Sequence, residues 1–150
     1  MRVIKRIGLG FLILILLTGL ALAVWEPISI SSVAAPPDKD YEVRIVRDEF
    51  GVPHIFGKTD ADVAYGVAYA HAEDDFLTLQ EVTAMTRGRM ATLNGADSAP
   101  IDYVAALLDV DGTVDRHYDA LPDDVKALLE AYASGLNQYA DENPGEVSLA

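Results

Sequence analysis

The amino-acid sequence predicts an α+β fold in which a short β-hairpin is followed mostly by helices. Two observations lead to this class. Apolar and polar residues alternate over residues 41–45, as in a half-buried strand, whereas apolar residues recur at helical spacing over residues 61–90 and 125–139. Glycine, proline, asparagine and aspartate cluster between these stretches and predict the turns that separate the elements.

The hairpin is predicted from three adjacent segments. Residues 41–45 form the first strand, residues 48–51 the turn and residues 52–56 the second strand. Pro53 indicates an edge strand or the start of a strand, because proline has no N–H group for the sheet. Since two strands alone do not make a stable sheet, we expect partner strands from other polypeptide and interpret residues 41–150 as an incomplete domain.

A long helix is predicted over residues 61–90, with Thr59 and Asp60 as its N-terminal cap and Asn94-Gly95 as a stop. Gly66 is expected to mark close packing and Gly88 a bend, since glycine weakens a helix. Three small residues lie at every fourth position and form a face that another backbone can approach closely. They are Ala64, Ala68 and Ala72.

Two further helices are predicted downstream. Residues 101–108 form a short helix, and Asp111-Gly112 forms a turn. A longer helix opens at residues 121–124, where one proline and two acids favour a helix N-terminus, and ends at residues 143–145, which read N-P-G.

Composition limits the classes of function. Lys and Arg number 11 and Asp and Glu number 24, which gives a net charge of −13 at pH 7. A surface this acidic repels phosphate backbones, so nucleic acid is not an expected partner. The absence of cysteine excludes disulfides, cysteine metal ligands and a cysteine nucleophile within these 150 residues.

Residues 1–23 have the anatomy of a secretory signal peptide. Three basic residues precede a nearly unbroken apolar run over residues 7–22, and Ala21-Leu22-Ala23 offers small residues for cleavage. The alternative is an uncleaved membrane segment over residues 7–25, which is nearly long enough to cross a bilayer. Both interpretations place the remainder outside the cytoplasm, in the periplasm or secreted, and membrane contact is expected only through this segment. Residues 24–40, with two consecutive prolines, are predicted to be an extended linker.

The residue pattern assigns no catalytic residue, no substrate-binding residue and no metal ligand. The three histidines lack the spacing of a metal site, and we interpret His54 and His71 as structural. Residues 109–115 lack the alternating ligands and the distant glutamate of a calcium loop, so a plain turn is predicted there. No serine lies in a G-x-S-x-G motif.

Four short blocks carry a family resemblance. They are Arg47-Asp48 with Gly51-Val52-Pro53-His54-Ile55; Gly66, Tyr69, Ala72, Glu73 and Asp74; Gly88-Arg89, Ala91, Leu93 and Gly95; and Tyr132-Ala133, Gly135 and Asn137. In order and spacing they resemble the beginning of the α-chain in the penicillin acylase family, across residues 41–144. The sequence around Glu73-Asp74-Asp75 resembles the acyl-homoserine-lactone and aculeacin acylase branch more than penicillin G acylase. Asp75, where many members carry Arg, and Thr92, where many carry Glu, depart from the pattern.

The resemblance implies a fragment of the four-layered αββα fold of N-terminal-nucleophile hydrolases. The implied enzyme is a secreted amide hydrolase that releases an acyl group from an amine, such as a β-lactam or an N-acyl-homoserine lactone. Its precursor cuts itself into α- and β-chains, and a serine at the new β-chain N-terminus attacks the amide carbonyl. None of the four blocks supplies this nucleophile, so the catalytic residues are expected outside this fragment.

The resemblance also implies partners. These are the β-chain of the same precursor, in an α/β heterodimer, and a small acylated amine as substrate. Calcium is implied for the complete enzyme, with ligands elsewhere, and no cofactor is expected in this fragment. Arg47, Asp48, Gly51 and Pro53 are interpreted as scaffold residues, a charged pair and a tight turn that lock the hairpin. Two alternatives stay open: a catalytically inactive acylase-like binding protein, and a membrane-tethered helical interaction module without enzyme ancestry.

Overall fold

The structure is a computed structural model that describes residue 10, residues 12–20 and residues 40–148. The chain divides into two units, residues 1–35 and residues 36–150. In the first unit, residues 12–20 are helical. Within the described ranges, no helix combines the length and the apolar character needed to cross a bilayer. The predicted cleavage position and nearly all of the predicted linker lie outside the described residues, so both stay predictions.

An antiparallel hairpin opens the second unit. Strand β1 spans Val43–Arg47, strand β2 spans Pro53–Gly57, and Ile45 lies opposite Ile55. Pro53 starts β2, as predicted. The first strand begins two residues later than the alternation suggested, and the Glu42 N–H donates to the Asp62 carboxylate at 3.0 Å instead of to β2.

Helix α1 spans Asp60–Thr86 and begins with the predicted cap. The Thr59 hydroxyl accepts a hydrogen bond from the Asp62 backbone N–H at 3.1 Å, and the Asp62 carboxylate accepts one from the Thr59 N–H at 2.9 Å. This reciprocal pair is a capping box, and Asp62 is buried within it. The hydrogen bond from Thr59 lowers the pKa of Asp62.

The prediction of one continuous helix over residues 61–90 is wrong at two points. Asp75 has φ −159° and ψ 66°, which breaks α1 into two halves, and its carboxylate accepts a hydrogen bond from the Thr78 N–H at 3.2 Å that caps the second half. The helix then ends at Thr86, because Gly88 adopts φ +61° and turns the chain, as its predicted bend requires.

A series of short helices follows the bend. Helix α2 spans Met90–Asn94, and helix α3 spans Ala99–Leu107, which confirms the short helix predicted there. A 3₁₀ turn, Ala96–Ser98, joins them after Gly95, whose φ of +79° ends α2.

Helix α4 spans Val110–His117, so the turns predicted at Asp111-Gly112 and across residues 109–115 are wrong. Asp109 begins this helix. Its carbonyl accepts a hydrogen bond from the Thr113 N–H at 2.9 Å, and its carboxylate pairs with Arg116 at 2.7 Å. These contacts one and two turns apart stabilise a helix that the aspartate and glycine content disfavours on its own.

Helix α5 spans Asp123–Glu142 and is preceded by the 3₁₀ turn Tyr118–Ala120. It begins after Pro122 and ends at Asn143, as predicted, and a last 3₁₀ turn covers Pro144–Glu146.

The core lies between α1 and α5. Ala68 and Ala72 of the predicted small-residue face are almost fully buried, as are Ala70 and Ala131. Gly135 of α5 lies so close to α1 that an added Cβ would overlap the Tyr65 carbonyl and approach the Ala68 side chain. The hairpin packs on the first half of the same helix, where a Cβ on Gly66 would overlap Val43 and Ile55. The α+β class, a hairpin followed mostly by helices, is therefore confirmed.

Candidate functional site

The guanidinium group of Arg47 joins the hairpin to α1. One nitrogen, Nη2, lies 3.0 Å from a Glu73 carboxylate oxygen and 2.9 Å from an Asp74 carboxylate oxygen. The other, Nη1, donates to the Gly51 carbonyl at 2.8 Å, and Nη2 also donates to the Ala70 carbonyl at 3.3 Å. The hydrogen bonds to Glu73 and Asp74 raise the pKa of Arg47 further. The first two sequence blocks thus meet in one ion-pair network.

Asp48 closes the hairpin turn. One carboxylate oxygen accepts backbone hydrogen bonds from Phe50 at 2.9 Å and from Val52 at 3.0 Å, and the other lies 3.2 Å from Nε2 of His54. The His54 contact, followed by the Val52 hydrogen bond, lowers the pKa of Asp48. Gly51 adopts φ +81°, which favours glycine at this position of the turn. The structure does not pair Arg47 with Asp48. Arg47 pairs with Glu73 and Asp74 of α1, and Asp48 contacts His54.

His71 joins the second and fourth blocks. Its Nδ1 lies 3.1 Å from the Tyr132 hydroxyl, so α1 and α5 are linked by a hydrogen bond beside the close approach at Gly135. His54 and His71, which the sequence analysis interprets as structural, therefore both make hydrogen bonds that connect segments of the fold. Across residues 40–148, no three His, Asp or Glu side chains are grouped as metal ligands.

Two tyrosines anchor the end of α5 to α1. The Tyr69 hydroxyl donates to the Glu142 carboxylate at 2.6 Å, which raises the pKa of Tyr69 to about 12 and lowers that of Glu142. Tyr139 donates to Glu146 at 3.0 Å, and its ring packs edge-on against Phe76.

The third block forms a turn that Asp102 of α3 holds in place. The Asp102 carboxylate accepts hydrogen bonds from the Met90 N–H at 2.6 Å and the Ala91 N–H at 3.0 Å, the first N–H groups of α2. Gly88 lies against the Asp102 backbone. Sequence reasoning missed this role, although Asp102 is the only charged residue in the otherwise apolar α3.

A pocket of about 310 Å³ lies between the second half of α1 and α5. Its lining is mostly apolar, with Arg87 and Arg89 the only charged residues among those that form it. The apolar part consists of Phe76, Leu79, Ala84, Leu93, Leu136 and Ala140. Sequence reasoning missed this pocket, because its lining comes from segments up to 72 residues apart, Phe76 to Ser148.

Gln80 holds one wall of this pocket, which we call the α1–α5 pocket. Its side-chain amide donates to the Glu146 carbonyl at 3.0 Å and accepts from the Ser148 N–H at 2.6 Å. The segment after α5 is thereby tied to α1.

Comparison with known proteins gives concordant results. Residues 42–150 match the profile of the penicillin amidase family. The chain is 30% identical over 112 residues to the penicillin acylase 2 proenzyme of a Pseudomonas species, an alignment that covers 75% of this chain and 14% of that protein. It is 33% identical over 129 residues to the acyl-homoserine lactone acylase PvdQ of Pseudomonas putida, covering 80% of this chain and 16% of that protein.

A solved structure shares the fold. The match is to the thermostable penicillin G acylase from Alcaligenes faecalis, with a TM-score of 0.64 and 25% identity. It covers 72% of this chain and 57% of the other. The chain described here thus spans a small part of its curated relatives and somewhat over half of the matched chain in the solved structure.

Proposed function

Since this chain belongs to the penicillin amidase family, we propose that it is the N-terminal α-chain part of an exported acylase. The proposed enzyme hydrolyses the amide bond between an acyl group and an amine, such as a β-lactam or an N-acyl-homoserine lactone, and releases a free acid and an amine. The observation that carries the proposal is the family match over residues 42–150. The same match excludes the alternative of a helical module without enzyme ancestry.

In this proposal the residues of the chain serve as a scaffold. Arg47 ties the hairpin to α1, and His71 with Gly135 ties α1 to α5, so three of the four blocks are joined by direct contacts. The nucleophile is a serine that self-cleavage exposes at the β-chain N-terminus, with its α-amino group as the base. The catalytic residues therefore belong to polypeptide outside this stretch.

The proposed main partner is the β-chain of the same precursor. The described surface supports this, because apolar side chains that a monomer of this size would cover lie open. Phe50 at the hairpin tip is 83% exposed, and Tyr103 and Leu107 on α3 are 67% and 68% exposed. The further parts of the proposal are export, to the periplasm or as a secreted protein, and a calcium ion in the complete enzyme.

The test uses the full-length protein, produced with the reading frame that contains this chain. We expect mass spectrometry to find two chains, and chromatography to detect free acid from penicillin G or from N-acyl-homoserine lactones of graded acyl length. A variant with the junction serine replaced by alanine is the control and should stay uncleaved and inactive.

The same experiment distinguishes an active acylase from the remaining alternative, an inactive acylase-like binding protein. An intact junction serine with neither cleavage nor acid release would contradict the proposal. A replaced nucleophile, together with binding of the same substrates without turnover, would instead establish an inactive acylase-like binding protein.

A further inference from the structure

Among residues 40–148, Arg87 and Arg89 are the two basic side chains without an ion pair, a side-chain hydrogen bond or a contact over an aromatic ring, and both line the α1–α5 pocket. Residues 40–148 contain seven Arg and Lys side chains, of which five have a partner. These five are Arg44, over the Phe56 ring; Arg47, with Glu73 and Asp74; Lys58, with Glu42; Arg116, with Asp109; and Lys126, with the Asp119 carbonyl. Within the same residues, Arg87 and Arg89 have no ion pair and no side-chain hydrogen bond.

The two guanidinium groups are carried by a fixed turn. Gly88 separates them at φ +61°, and the Asp102 carboxylate binds the two N–H groups that follow Arg89. Arg89 is half-buried, whereas Arg87 is exposed, so the missing partner matters more for Arg89. A planar guanidinium group is suited to bidentate pairing with a carboxylate.

We infer that the α1–α5 pocket receives an apolar segment of polypeptide whose Asp or Glu side chain pairs with Arg89 and Arg87. The apolar lining calls for an apolar occupant, and the two arginines call for an anion beside it. Polypeptide is the occupant because the chain spans only 57% of the matched chain in the solved relative. The inference rests on the proposed function only in taking the segment from the same, longer precursor.

The experiment is site-specific photo-cross-linking in the full-length protein. A photoreactive phenylalanine analogue replaces Thr83, an exposed residue of the pocket lining, and a matched protein carries it at Thr78, which is exposed on α1 outside the lining. We expect the Thr83 position to yield a cross-linked peptide from outside residues 40–148 that contains an acidic residue among apolar ones. The Thr78 position should not yield that peptide.

Charge variants test the pairing. Arg89→Gln should lower the yield of that cross-link about tenfold, as expected for truncating one partner of a desolvated charge pair. Arg116→Gln, which removes an exposed and already paired arginine, should change it less than about twofold. Thr92→Glu places a carboxylate one helical turn from Arg89 in the same lining and should also lower the yield, even where Arg89→Gln folds poorly.

Three outcomes would overturn the inference: a cross-linked segment without an acidic residue, a cross-link to a bound small molecule, and a yield that neither Arg89→Gln nor Thr92→Glu changes. Acid release, measured on the same preparations, keeps the two proposals apart. An active enzyme without the cross-link contradicts only the docking, and an inactive protein with the cross-link contradicts only the function.

Discussion

The hairpin with α1 and α5 differs from the α2–α4 region in how far the chain packs itself. In the first region Ala68 and Ala131 are fully buried, whereas no residue of α2, α3 or α4 is buried. Apolar content does not explain the difference, since α3 contains only one charged residue. The first region has glycines and alanines where its helices meet, so backbones approach and side chains interlock. In the α2–α4 region, residues 40–148 leave large apolar side chains of α3, such as Tyr103 and Leu107, mostly exposed.

The largest expected effect comes from filling the contact between α1 and α5. Gly135→Val should lower the free energy of unfolding by about 2–3 kcal/mol, because its Cβ overlaps the Tyr65 carbonyl. Urea unfolding followed by circular dichroism measures this. Gly145→Val, where no atom lies within 4 Å of the added Cβ, should change it by less than about 0.5 kcal/mol. Equal losses in the two variants would show that the close approach is not what holds this region.

Helix caps sharpen the comparison with a matched pair. Thr59→Ala removes the capping hydrogen bond of α1 and should cost about 1 kcal/mol of stability. Ser98 precedes α3 without a capping hydrogen bond, so Ser98→Ala should cost less than half of that. Thermal and urea unfolding of both variants compares them. A larger loss at Ser98 would mean that α3 is more firmly formed than its contacts indicate.

On the exposed apolar face of α3, substitutions should have little effect on the stability of this chain. Replacing Leu107 and Leu108, each about two-thirds exposed, by Gln should change the stability of this chain by less than about 0.5 kcal/mol. The same change should reduce self-association in sedimentation velocity, because the exposed apolar patch is smaller. In the complete protein it should destabilise, since the proposed covering polypeptide loses its contact. A destabilised chain with unchanged self-association would contradict this assignment.

The smallest effect concerns alkaline pH. The hydrogen bond to Glu142 raises the pKa of Tyr69 to about 12, above the value of about 10 for an unfolded tyrosine. Folding therefore favours the neutral phenol, and this contribution is complete below about pH 10 and is lost as the pH rises towards 12. Tyrosinate absorbance should show a late titration step whose amplitude Tyr69→Phe lowers by one tyrosine, while Tyr65 and Tyr139, whose pKa values burial also raises, keep their contributions. An unchanged amplitude in Tyr69→Phe would assign the step elsewhere.

Local signals were the ones that sequence analysis could interpret. The cap at Thr59, the close packing at Gly66, the bend at Gly88 and the end of α5 at Asn143 each depend on residues within one or two turns, or on glycine's own geometry. The four blocks predicted the family for a related reason, since their order along the chain is itself a sequence property.

What the sequence did not predict depends on contacts between distant residues. Helix α4 forms although its composition favours a turn, with the Thr113 N–H bonded to the Asp109 carbonyl and an exposed Asp109–Arg116 ion pair. Asp102 fixes a turn 12 residues away, and the α1–α5 pocket exists only after α5 has returned along α1. The break at Asp75 was hidden because apolar spacing continues on both sides of it.

The break at Asp75 gives α1 a kink between its two halves. The half before Asp75 carries the Arg47 network and the hairpin, and the half after it ends in the turn that presents Arg87 and Arg89. The backbone angles of Asp75 therefore set the direction of the second half of α1 relative to the first half. The placement of Arg87 and Arg89 relative to the Arg47 network thus depends on this one residue.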